Sequence, residues 1–128
     1  MKVLIVALPQ KISKNQFEPL ELAPMAIYLL ASILMKNKHE VSIIDPCEFI
    51  QYEHKGDIEE LCAQYIMKKI SSKDIQLIAF SVNSFNWSNT KVIIQRIADN
   101  FPDVKIALGG LHPSIFDKHV LESSDAHI

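Results

Sequence analysis

Two short groups of residues in this sequence have the types and spacing needed to contact a ligand. Gly109 and Gly110 stand side by side, and His112 follows two residues later. Upstream, Ser81 and Asn83 are separated by a single residue. Glycine lets a ligand approach the backbone closely, and serine and asparagine side chains donate and accept hydrogen bonds. The pattern therefore indicates recognition by shape and hydrogen bonding instead of proton transfer.

His112 is the residue of these groups that could act as a base or a metal ligand. No second His, Asp or Glu stands at ligand spacing beside it, since His119 is seven residues further on. Pro113 follows directly, and proline favours the first turn of a helix. We therefore predict that His112 is a loop residue, that Pro113 starts the next helix, and that the imidazole at most contacts a ligand.

The strands that would position these residues are indicated by short, continuous apolar runs. Runs of this length are typical of strands buried on both faces, as in a parallel sheet. They are Lys2–Leu8, Ile75–Val82 and Val104–Leu108, with Glu40–Asp45 as a weaker fourth.

Helical patterns separate the predicted strands. Leu22–Asn37 is apolar nearly all round, and Pro24 fits a first turn, where its missing N–H costs nothing. The next helix carries an apolar stripe over Ile58–Ile70, and Asp57 with Glu60 resembles a capping box at its start.

The third helix is predicted at about Ser88–Asn100, a short fourth after Pro113, and the beginning of a fifth strand at Ala126–Ile128. Alternation of strand and helix predicts right-handed crossovers and a parallel sheet covered on both faces. Ligands of such sheets bind at the carboxyl ends of the strands, where the strand order reverses. The loops at residues 9–21, 83–87 and 109–114 are therefore the candidate ligand loops.

Several α/β ligand classes are excluded by their missing signatures. The sequence has no GxGxxG dinucleotide motif and no GxxxxGK[ST] phosphate loop. The first loop, PQKISKNQFEPLE, lacks the glycines of a flavodoxin phosphate loop, and Ser81 stands where a phospho-acceptor receiver needs an Asp. A strand-to-helix loop of this length is uncommon, which indicates function.

Net charge, cysteine spacing and chain length limit the classes of partner, cell compartment and domain organisation that the sequence predicts. The net charge of −2 gives no reason to expect a nucleic acid or an anionic membrane surface. Cys47 and Cys62 form neither CxxC nor a zinc pattern, so we predict reduced thiols in a cytoplasmic protein, with Cys62 on a buried stripe. The apolar start is too short for a signal peptide or a membrane span. The length is that of one domain.

The sequence resembles the amino-terminal cobalamin-binding-type domain of cobalamin-dependent radical S-adenosylmethionine enzymes. The resemblance runs in order along nearly the whole chain, and its most specific segment is FPDVKIALGGLHPS. The other segments are MKVLIVALP, EPLELAPMAIYLLASILMKNKHEVSIID, IQLIAFSVNSF and SSDAHI.

The resemblance implies a flavodoxin-like, three-layer α/β/α fold with a parallel sheet of order 2-1-3-4-5, whose fifth strand is truncated. It implies that residues 1–128 are the leading fragment of a longer protein. A downstream radical S-adenosylmethionine domain would hold the 4Fe-4S cluster through a CxxxCxxC loop, which is absent from this sequence. This fragment would therefore not be catalytic alone, and the parent enzyme could be a methyltransferase.

The resemblance also implies a corrinoid whose nucleotide tail passes the glycine pair and the Ser81 loop. The predicted cofactor-binding residues are Pro9, Gln10, Ser81, Val82, Asn83, Gly109, Gly110, Leu111 and His112. The sequence departs from the DxHxxG motif of other cobalamin carriers, because positions 9–24 contain no His, Asp or Gly. No histidine of this loop would then coordinate cobalt. Two alternatives stay open: a structural or interaction module without cofactor, and an α/β domain for another nucleotide-like ligand.

Overall fold

The computed structural model describes residues 1–19 and 24–127, which form alternating strands and helices. The strands are β1 (Lys2–Ala7), β2 (Lys11–Ser13), β3 (Gln16–Phe17), β4 (Glu40–Ile44), β5 (Leu77–Ser81) and β6 (Lys105–Gly109). The helices are α1 (Met25–Lys36), a 3-10 helix (Pro46–Tyr52), α2 (Ile58–Lys73), α3 (Trp87–Asn100), α4 (Leu111–Ile115) and α5 (Asp117–Glu122).

Four strands form a fully parallel sheet in the order β4-β1-β5-β6. This order confirms the predicted flavodoxin-like arrangement for the first four strands of the 2-1-3-4-5 sheet. The predicted fifth strand lies partly outside the described residues, because Ile128 is not among them. His127 nevertheless donates its backbone N–H to the Ile106 carbonyl of β6 at 2.8 Å, which places the chain beside the expected edge.

The first predicted helix starts later than its apolar pattern indicates. The pattern began at Leu22, which lies outside the described residues, and α1 begins at Met25. Pro24 occupies the capping position just before the first turn, with an extended backbone, instead of a place inside that turn.

The predicted capping box at the start of α2 is only half formed. The Asp57 carboxylate accepts hydrogen bonds from the backbone N–H groups of Glu59 and Glu60. The Glu60 side chain pairs instead with Arg96 of α3, an ion pair that competes with the reciprocal bond. A complete capping box occurs at the 3-10 helix. There the side chains of Asp45 and Glu48 each accept a hydrogen bond from the backbone N–H of the other residue.

The fourth helix begins before Pro113 and not after it. Leu111 is the first residue of α4, so Pro113 takes the third position, where an N–H would have no partner within the helix. The predicted single helix is in fact two short ones, α4 and α5, separated at Phe116. The first loop also contains the unpredicted β2–β3 hairpin.

The two faces of the sheet are covered unequally. On one, which we call the closed face, side chains of all four strands pack against α2 and α3 in the larger core cluster. On the other, the open face, α1 packs on β4 and β1 around Ile27 and Ala31. The open-face residues of β5 are half-buried, and those of β6 are half-buried at Ala107 and exposed at Lys105 and Gly109. Among the described residues, no helix is long and apolar enough to cross a membrane.

Candidate functional site

A pocket of about 260 Å³ lies at the carboxyl ends of β1 and β5, and we call it the strand-end pocket. From β1 the chain crosses to β4 on one side, and from β4 it returns to β5 on the other. The pocket thus occupies the point of order reversal, where α/β sheets bind ligands. It is lined by Ala7, Leu8, Pro9, Gln10, Glu18, Pro19, Pro24, Pro46, Ser81, Asn83 and Asn86.

Small residues end three adjacent strands in register. Ser81 at the end of β5 lies between Ala7 of β1 and Gly109 of β6. Two residues earlier on the same face, Ala79 of β5 pairs with Ala107 of β6. Ala79, Ser81, Ala107 and Gly109 form what we call the small-residue strip. Because Ser81 also lines the strand-end pocket, the strip continues from the pocket along the open face.

The two glycines at the end of β6 differ in their surroundings. A Cβ at Gly109 would meet no atom of the described residues within 4 Å. Gly110 has a φ of +107°, and a Cβ there would lie 2.5 Å from the Val82 carbonyl oxygen. The absence of a side chain at Gly110 is therefore required by backbone packing, whereas Gly109 leaves open space at the strand end.

Val82 and Leu111 differ in their exposure to solvent. Val82 is buried in the core, its N–H donates to the Gly109 carbonyl at 2.8 Å, and its carbonyl accepts from the His112 N–H at 3.2 Å. Leu111 is 67% exposed and Phe85 is 72% exposed. Val82 therefore joins two loops, and the exposed pair presents apolar surface near the strand ends.

His112 is a buried helical residue, which corrects its prediction as a loop histidine. Its ring stacks on Trp87 with centroids 5.1 Å apart, and its Nδ1 lies 3.0 Å from the Ser84 hydroxyl. The ring also packs against Phe116 at 5.0 Å. Burial, together with the charge of His119, lowers the pKa of His112, which favours a neutral ring. Its Nε2 is buried and has no hydrogen-bond partner in the described part of the chain.

Three asparagines stand at every third position, and the last two of them, Asn86 and Asn89, tie the start of the first loop to α3. Asn83 accepts from the N–H groups of Phe85 and Asn86, which forms the turn into the helix, and its own N–H donates to the Asn86 side chain. Buried Asn86 and Asn89 donate to the backbone carbonyls of Leu8 and Pro9. Sequence reasoning missed these last two asparagines, although the repeated spacing of three was a visible signal.

The chemistry around the strand-end pocket is that of a binding site. Among the described residues that line it, Glu18 is the single carboxylate. The described residues contain no group of three His, Cys, Asp or Glu side chains able to hold a metal ion. A larger groove of about 880 Å³ lies at the opposite, amino-terminal edge of the sheet. That edge lacks the order reversal and the loop network, so the strand-end pocket is the stronger candidate.

Cys62 and Cys47 differ in accessibility. Cys62 of α2 is buried in the core, as predicted from its apolar stripe, and burial raises its pKa to about 12. Cys47 is exposed, and a hydrogen bond with Asp45 raises its pKa. Neither thiol lines the strand-end pocket.

Comparison with known proteins identifies the domain. Searches of curated proteins and of solved structures found no significant match to this chain. The sequence model of the family described as B12 binding domain matches residues 19–128. The match spans β4, β5, β6 and the glycine pair, so it covers most of the chain and most of the candidate site. The chain belongs to the B12-binding domain family.

Proposed function

We propose that this domain binds cobalamin over the carboxyl ends of β1, β5 and β6, with the nucleotide tail along the small-residue strip. The continuity of the strand-end pocket with that strip, through Ser81, is the observation that carries the proposal. Cobalamin is a flat macrocycle with a long tail. The macrocycle needs an opening at the strand ends, and the tail needs an adjoining surface without bulky side chains.

The residues present fit such a ligand. The open space at Gly109 lets a ligand approach the backbone, and the pocket side chains of Gln10, Ser81 and Asn83 offer hydrogen bonds to polar substituents. The exposed side chains of Phe85 and Leu111 offer apolar contact. Pro9 contributes to the pocket wall, whereas Val82, Gly110 and His112 would act by holding the loops in place.

Cobalamin supplies a cobalt centre that can carry a methyl group, and this chain's contribution is to hold and orient it. Positions 9–24 contain no histidine, so no imidazole of the first loop reaches the cobalt. We propose further that the domain serves a downstream radical S-adenosylmethionine domain with its 4Fe-4S cluster, in an enzyme such as a methyltransferase. On this view the chain alone has no catalytic activity.

The direct experiment is retention of cobalamin. The purified chain is mixed with hydroxocobalamin or methylcobalamin, desalted, and examined by visible absorption. Retained corrin absorbance in near-stoichiometric amount is the expected result. If neither this chain nor a longer form containing the following domain retains corrinoid, the proposal is wrong.

A substitution on the small-residue strip tests the location. Gly109→Leu should abolish retention, because a side chain there fills the open strand end, while the far-ultraviolet circular dichroism spectrum stays unchanged. Gln95→Leu places the same side chain on the exposed surface of α3 and serves as the matched control. Equal retention of cobalamin by both variants would refute the placement of its nucleotide tail on the small-residue strip.

The missing first-loop histidine favours a second candidate, in which the domain keeps the fold without the cofactor and acts as a structural or interaction module. The same experiment separates the two, because a module of this kind retains no corrinoid in any form of the protein. An α/β domain for another nucleotide-like ligand would likewise show no corrin absorbance.

A further inference from the structure

The described part of the first loop, residues 9–19, is held along its length by different parts of the molecule. At the far end, the backbone of β3 is held by the 3-10 helix region, since Phe17 donates to the Glu53 carboxylate at 3.0 Å. Closer to β1, Lys11 of β2 forms an ion pair with Glu59 of α2 at 2.5 Å. At the near end, where the loop leaves β1, the Leu8 and Pro9 carbonyls accept from the side chains of α3.

The near-end bonds are made by amides that are almost completely buried. Asn86 is 4% exposed and donates its Nδ2 to the Leu8 carbonyl at 3.0 Å. Asn89, one turn along the helix, is 3% exposed and donates its Nδ2 to the Pro9 carbonyl at 3.3 Å. Buried polar groups are costly unless paired, so each amide has one favoured arrangement that fixes one carbonyl of the loop.

The two carbonyls that are held belong to residues lining the strand-end pocket. Leu8, Pro9 and Asn86 all line the pocket, so the bond between Asn86 and Leu8 joins two residues of its lining. Asn86 also accepts from the N–H of Asn83, another pocket residue, at 3.0 Å. One side chain therefore sets the distance between the β1 loop and the β5 loop, which are the two sides of the point of order reversal.

We propose that Asn86 and Asn89 are positioning residues that hold the first loop in its binding-competent arrangement before ligand arrives. This inference rests on the proposed function for the identity of the ligand, but the loop arrangement can be measured in its absence. Preorganisation matters because a ligand that must order a loop spends part of its binding free energy on that ordering.

The test uses isosteric substitutions, Asn86→Asp and Asn89→Asp, in the full chain. Each keeps the size of the side chain but replaces the donating amide with an oxygen that faces a carbonyl oxygen. An acidic residue in the first turn of α3 is favourable to the helix dipole, so the helix itself should not be weakened. Asn100→Asp is the matched control, because Asn100 donates its Nδ2 to the Arg96 carbonyl at the exposed carboxyl end of the same helix.

Hydrogen exchange of the ligand-free protein is the first measurement. The amide of Glu18, which donates to the Gln10 carbonyl at 2.8 Å across the hairpin, reports the order of the loop. Its protection factor should fall by about tenfold or more in both Asp variants at neutral pH and stay unchanged in Asn100→Asp. Lowering the pH until the new carboxyl is protonated should restore the donor and the protection, which a packing defect would not do.

Affinity for hydroxocobalamin is the second measurement. A loss of about tenfold in the two Asp variants, with no change in the control, is the expected result. Wild-type loop protection in both Asp variants would overturn the inference, as would a loosened loop with unchanged affinity. If the wild-type chain retains no corrinoid, the proposed function fails, and hydrogen exchange alone then decides whether the asparagines position the loop.

Discussion

The closed and the open face of the sheet are built from the same four strands and differ in what covers them. On the closed face, Phe80, Ile78 and their neighbours pack against α2 and α3 and are almost fully buried. On the open face, Leu77 packs against the smaller core cluster formed by β1 and α1, and outward side chains of α1 such as Leu29 are exposed. The small-residue strip lies on the part of this face formed by β5 and β6, where residues are half-buried or exposed. Burial of apolar surface stabilises the fold, so the closed face supplies most of the stability. Under the proposed function, the part of the open face formed by β5 and β6 receives the ligand.

The largest effect is expected for Phe80→Ala on the closed face. Removal of a fully buried aromatic side chain leaves a cavity and should lower the free energy of unfolding by about 3–5 kcal/mol. Urea unfolding followed by circular dichroism measures the change. A loss below 1 kcal/mol, on the order of a surface substitution, would show that the two faces do not divide stability in this way.

The two glycines at the end of β6 should differ in how far a substitution lowers the stability of the fold. Gly110→Ala forces a Cβ against the Val82 carbonyl at a positive φ and should cost about 2 kcal/mol or more. Gly109→Ala, which meets open space, should change stability by less than about 0.5 kcal/mol. Thermal unfolding of both variants tests the contrast, and equal losses would contradict it.

His112 predicts a pH dependence of stability. Because burial lowers its pKa in the folded state, the unfolded chain takes up a proton first as the pH falls through about 6.5. The free energy of unfolding should therefore be highest above that pH and decrease as the pH falls below it. The decrease should stop once the pH is below the folded-state pKa of His112. The fluorescence of Trp87, the single tryptophan, which stacks on the ring, follows the unfolding.

The His112→Gln variant is the control for that pH dependence. Glutamine keeps a polar side chain within reach of Ser84 but does not titrate, so the slope of stability between about pH 5.5 and 7 should flatten. An unchanged slope would assign the effect to other groups.

The smallest effect is expected on the open face at α1. Leu29 is 65% exposed, so Leu29→Gln should change the free energy of unfolding by less than about 0.5 kcal/mol. Chemical unfolding beside Phe80→Ala gives the direct comparison. A loss on the order of 2 kcal/mol would mean that the outer side of α1 is covered in solution.

Part of the site could be read from local patterns. The apolar runs of β1 and β5 and the stripe of α2 specify their elements because burial periodicity is a local property of the chain. The placement of Ser81 and Gly109 at neighbouring strand ends followed from the rule that parallel strands share a carboxyl edge. The binding roles assigned to these residues remain predictions.

The tertiary structure was required to show that residues of the same type, such as Gly109 and Gly110, have different surroundings. The sequence by itself determined the alternating parallel architecture and the small residues at the strand ends. Only the packing of β6 beside β5 decided that Gly110 must lack a side chain, since Val82 lies 28 positions away in the chain. The surroundings of His112 and Asn86 were decided in the same way, because distant segments bring a buried polar group its hydrogen-bond partners.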